Sequence, residues 1–79
     1  MMSEKKSCWI LTFSTTTAAM FMEKFCMEQN IPGRLIPVPR QITAGCGLAW
    51  RMTVEEYERY RLTLKEHTLM IEQSVLLEL

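Results

Sequence analysis

Apolar side chains follow two rhythms along this chain. Residues 8–13, CWILTF, form a short apolar run in which Trp9, Ile10 and Phe13 favour a buried strand. Ser14 or Thr15 is placed to cap the next element. There Ala18, Phe21, Met22 and Phe25 recur at helical spacing, with Cys26 on the flank. The helix is expected to end near Gln29, because Pro32 restricts Ile31 and Asn30-Ile31-Pro32-Gly33 reads as a turn. Residues 34–39 predict a second strand. Pro37 and Pro39 lack amide donors on the same side of it, which places it at a sheet edge.

Residues 40–45 read as a loop and residues 46–52 as a third strand. Leu48, Trp50 and Met52 fall on one face of it, Ala49 and Arg51 on the other. Thr53 and Glu56 have capping-box spacing and open a second helix. That helix runs to about Glu66, with Val54, Tyr57, Tyr60 and Leu64 inward and a break at His67 and Thr68. In residues 69–79 the side chains of Leu69, Ile71, Val75, Leu77 and Leu79 share one face, with Gln73 as the exception. This alternation predicts a half-buried last strand. The order β-α-β-β-α-β predicts an α+β, ferredoxin-like sandwich: a four-stranded antiparallel sheet with two helices on one face. The second and fourth strands then form the edges.

Seventy-nine residues are expected to make one domain. The nine basic and nine acidic residues cancel, and every acid is Glu. A neutral chain gives no footing for nucleic acid, which selects excess positive charge. No apolar run approaches the roughly 20 residues of a membrane span, and Glu4 spoils a signal-peptide reading of the first residues. A cytoplasmic protein is expected. Three cysteines, no CxxC, one histidine and no aspartate point to free thiols and to no metal or other cofactor. Two features leave two readings open: a homo-oligomer, or a fraying C-terminus with a β-bend at Gln73-Ser74 and two harmless surface methionines. Residues 69–79 would span about 36 Å fully extended, long for so small a domain. Met20 and Met27 point away from the first helix's apolar stripe.

The candidate site is Cys46. Gly45 and Gly47 strip side chains from both sides of it, so backbone amides can approach a thiolate. Arg40 and Arg51 lie close enough in sequence to support the anion. Arg34, farther along the hairpin, is a weaker partner and a candidate anion contact. Arg61, on the inner side of its helix, is another anion candidate, although an arginine there also snorkels without function. Cys8 and Cys26 read as packing residues. The competing view of Cys46 is that free cysteine is simply among the most buried residue types.

Three blocks carry a resemblance: WILTFSTTTAAMFMEKF, IPGRLIPVPRQITAGCGLAWRM and VEEYERY. In this order they resemble the DUF3343 family of selenium/sulfur (Se/S) carrier-like proteins over about residues 9–66. Family members usually have a small hydroxylated residue before the cysteine, where this chain has Gly45. The resemblance implies a small cytoplasmic prokaryotic protein concerned with sulfur transfer or selenium metabolism. The family's cysteine falls on Cys46, and its two arginines fall on Arg40 and Arg51. It implies donor and acceptor proteins as partners, a cysteine desulfurase-like donor among them.

Two functions follow as expectations. In the first, Cys46 holds a persulfide or selenosulfide for transfer between proteins, and the chain is not an enzyme alone. In the second, the chain is a ligand- or protein-binding module acting through assembly, and Cys46 only packs. A thiol-redox role would require a second cysteine within disulfide reach of Cys46.

Overall fold

The computed structural model describes residues 7–42, 46–67 and 71–78. Its elements are β1 (Ser7–Phe13), α1 (Thr16–Glu28), β2 (Arg34–Pro37), β3 (Leu48–Thr53), α2 (Val54–His67) and β4 (Ile71–Glu78). The strands form one antiparallel sheet in the order β2-β3-β1-β4. Both helices pack on one face, so the expected ferredoxin-like α+β architecture is the observed one, with β2 and β4 at the edges.

Each helix is closed by the chemistry of its own residues. The Thr15 Oγ1 accepts from the Ala18 amide at 3.1 Å and starts α1. At the other end Asn30 takes φ 57°, the Ile31 amide donates to Cys26 O at 2.8 Å, and the Asn30 amide donates to Met27 O at 3.4 Å. This is a Schellman ending with asparagine in the left-handed position, and its apolar follower Ile31 is buried against the core. The Thr53–Glu56 box forms in full. The Thr53 amide donates to Glu56 Oε1 at 2.9 Å, and the Glu56 amide donates to Thr53 Oγ1 at 3.1 Å.

Strand alternation divides the core in two. On the helix side, Leu11, Phe13, Trp50 and Met52 pack with Ala18, Ala19, Met22 and Cys26 of α1 and Leu64 of α2. Trp9, on the same side, stacks on Tyr57 at 4.3 Å between ring centres. On the opposite face, Cys8, Ile10 and Ala49 cluster with Ile42, with Ile36, Val38, Val75 and Leu77 around them. Gly33 takes φ +134°, and a Cβ there would run into the Trp50 indole and come within 2.8 Å of Arg51 O. Only glycine lets the chain enter β2 so close under that ring.

Several expectations are corrected. The buried residues of α1 are Ala18, Ala19, Met22 and Cys26, while Phe21 is exposed. Two small alanines let the helix settle closely on the sheet, and the row beneath them rotates Cys26 inward. Arg61 is exposed rather than on the inner side of α2. β2 stops at Pro37 and β3 starts at Leu48, so Pro39 and Cys46 lie outside the ladder. In β4 the pairing steps from Thr12↔Gln73 to Phe13↔Ile71, which leaves Glu72 extra. That bulge turns Ile71 to the helix side, away from Val75 and Leu77, and breaks the uniform alternation. Leu69, Met70 and Leu79 lie outside the described residues.

Candidate functional site

The β2–β3 connection leaves the ladder where the prolines remove its donors. Val38, between them, has an amide, and it donates to Gly47 O at 3.0 Å as the last rung. The Ile42 amide donates to Pro39 O at 3.0 Å, closing a turn that carries exposed Arg40 at its bend. Ile42 then folds onto the helix-free face, into the cluster with Ile10 and Ala49. The loop is thus fastened on one side of the sheet and returns to the other, because Cys46 packs against the helix-side cluster.

Cys46 is half-buried. Gly47 follows with φ +79° and open space where a Cβ would be, so the constraint there is conformational rather than steric. This turn brings the Leu48 amide round to donate to Cys46 Sγ at 3.4 Å. The thiol in turn reaches Leu48 O at 3.4 Å. The sulfur therefore has one amide donor whatever its charge, and the donor becomes a charge-assisted one when the sulfur ionises.

A second source of positive potential stands at the same end of the sheet. Thr12 pairs with Ala49, and beyond that rung β1 hands over to α1 as β3 runs back to Gly47 and Cys46. The first turn of α1 holds no acidic side chain. Its partial positive charge is left uncompensated, and helix N-termini favour anions, thiolates included.

Arg51 pairs with Ile10 and Arg34 on the helix-free face, so the register separates it from the Cys46 sulfur rather than joining the two. Arg40 shares the loop with Cys46. Arg61 lines a small pocket of α2 with Tyr57, Leu62 and Lys65. Gly45 lies outside the described residues. The Leu48 amide is a backbone donor of the kind expected at a glycine-flanked cysteine. The start of α1 at the same end of the sheet was missed, although the Ser-Thr-Thr-Thr run after β1 signals it.

The other cysteines stand apart. Cys8 pairs with Thr53, a strand length from Cys46 or roughly 20 Å. Cys26 lies about 15 Å down the helix axis from Thr16. Disulfide reach is about 4.4–6.8 Å between Cα atoms, so the intramolecular redox pair has no second member. Burial pushes the Cys26 thiol up from 9.0 to about 11. Among the described residues, no cluster of three or more His, Cys, Asp or Glu side chains could hold a metal, and no helix is long and apolar enough to cross a membrane.

The chain matches the family model described as "Putative Se/S carrier protein-like" over residues 8–75. No curated protein and no solved structure matches it. The family match supports a general Se/S-carrier role and, with it, donor and acceptor partners.

Proposed function

The chain belongs to the Se/S carrier-like family, and we propose that it carries its cargo on Cys46 as a persulfide or selenosulfide. The observation that carries this reading is the Leu48 amide donating to a half-buried Cys46 Sγ. In loading, the Cys46 thiolate attacks the outer sulfur of a donor persulfide, R–S–SH. The donor S–S bond breaks, a new S–S bond forms on Cys46, and R–S⁻ leaves. The step is an exchange with no net oxidation. Unloading repeats it, with an acceptor thiolate as nucleophile and Cys46 as leaving group. Selenium follows the same course from R–S–SeH.

Arg40, on the same loop, is the side chain proposed to steady the extended anion. Three free thiols suit a reducing, cytoplasmic setting. A second reading, a binding module, draws on the exposed Met20, Phe21 and Met27 of α1. Both are tested by exposing the protein to glutathione persulfide and reading intact mass and then peptide mass. Gain of one sulfur on Cys46, lost in Cys46→Ser and kept in Cys8→Ser and Cys26→Ser, is expected. Equal loading of the Cys46→Ser protein sinks the carrier reading.

A further inference from the structure

A second positive centre lies on the face without helices. β2 and β3 place Arg34 directly opposite Arg51, and β1 and β4 continue that row with Ile10 and Val75. Side chains facing each other in this way hold their Cβ atoms about 4.5–5.5 Å apart, and like charges there repel. The rows on either side, from Ile36 to Gln73 and from Thr53 to Leu77, contain no acid. The described glutamates belong to α1, α2 and β4. Among the described residues neither Arg34 nor Arg51 has an ion pair. Arg34 is exposed and Arg51 half-buried. The sheet register thus holds together two cations that repel, with no counter-charge paired to them among the described residues.

We propose that Arg34 and Arg51 form a binding site for a tetrahedral dianion, a phosphate or sulfate group, on the face opposite the helices. Each guanidinium presents a planar fork of donors that matches two oxygens of such a group. A single carboxylate neutralises one arginine and leaves the other unpaired, whereas a dianion neutralises both. Ile10, beside Arg51 across the sheet, and Ile36, on the next row, lower the local polarity and strengthen the attraction. The site is on the other side of the sheet from Cys46 and roughly 15 Å along β3 from it. It stands or falls independently of the carrier reading.

The test is a ¹⁵N NMR titration of the full chain at constant ionic strength, with inorganic phosphate, sulfate and glycerol 2-phosphate as separate probes. Saturable shifts at the amides of Arg34, Arg51, Ile10 and Ile36 are expected. Arg34→Ala and Arg51→Lys should each weaken binding roughly tenfold, the loss expected for one set of charge-assisted hydrogen bonds. Arg34→Glu should abolish binding and raise Tm, because it turns a repulsive pair into an attractive one. Equal affinity for all three probes assigns the free oxyanion as ligand. Preference for the phosphomonoester, with added shifts toward Val38, assigns a phosphate borne on a larger molecule. Shifts that grow without saturation, shifts unchanged in Arg34→Ala, or a lower Tm for Arg34→Glu would each overturn the proposal.

Discussion

A cysteine and a glycine at one end of the sheet are treated oppositely to a cysteine and a glycine at the other. At one end Cys26 is fully buried and Gly33 is pressed beneath the Trp50 indole. At the other Cys46 is half-buried, and Gly47 has empty space beside it. Both cysteines touch the same helix-side cluster. Membership of a hydrophobic core therefore does not set a thiol's chemistry. What separates these two is access to solvent, together with the Leu48 amide that donates to the Cys46 sulfur.

The sharpest division is chemical. At pH 8 the Cys26 thiol, raised to about 11, is ionised to about one part in a thousand. Alkylation of the folded protein with iodoacetamide, followed by peptide mass spectrometry, should mark Cys46 and leave Cys26 unmodified. Comparable labelling of the two would erase the distinction. The glycines come next in size. Gly33→Ala combines overpacking with a positive φ and should cost about 3 kcal/mol in urea unfolding. Gly47→Ala meets only the φ penalty, about 1 kcal/mol, and should also slow Cys46 loading by misplacing the Leu48 amide. Similar losses for both glycines would contradict the contrast between a packed end and an open one.

Alkali probes the closed end alone. The Cys26 pKa is higher folded than unfolded, so its contribution is intact below about pH 9 and is lost as pH rises toward 11. The slope should be about 1.4 kcal/mol per pH unit at most. Urea midpoints of wild type and Cys26→Ala measured across that window should converge as pH rises. A constant gap would argue against the burial effect. The smallest change expected is Thr17→Glu, which puts an acid into the empty first turn of α1. It should stabilise the helix by about 0.5 kcal/mol yet slow alkylation of Cys46 a few-fold. A faster reaction, or an unchanged one, would remove the helix start from the list of groups that act on this sulfur.

Much of this was legible in the chain because the signals are local. The capping box, the proline-marked edge and the faces of β3 depend on neighbours in sequence, and each reads correctly from residue type. Cys46 stood out for the same reason, as a thiol flanked by glycines. Arg61 did not read correctly in space, and neither did Phe21. Which way a helix rolls depends on the alanines that let it approach. The bulge at Glu72 is likewise a property of two strands, and in the β4 sequence only Gln73, the exception to the alternation, hints at it.

The unequal edges of the sheet limit how copies of this chain can associate. β2 is four residues long and ends in a proline, so it offers a poor template for another strand. β4 runs for eight residues without one. Among the described strands a strand-to-strand contact between copies is left with β4 on both sides, and that contact is isologous and consumes the serviceable edge of each. Such an association closes at two subunits. The prolines that shape the cysteine loop therefore also guard against fibrils, since a sheet that can lengthen in one direction only has nowhere to grow once it has paired.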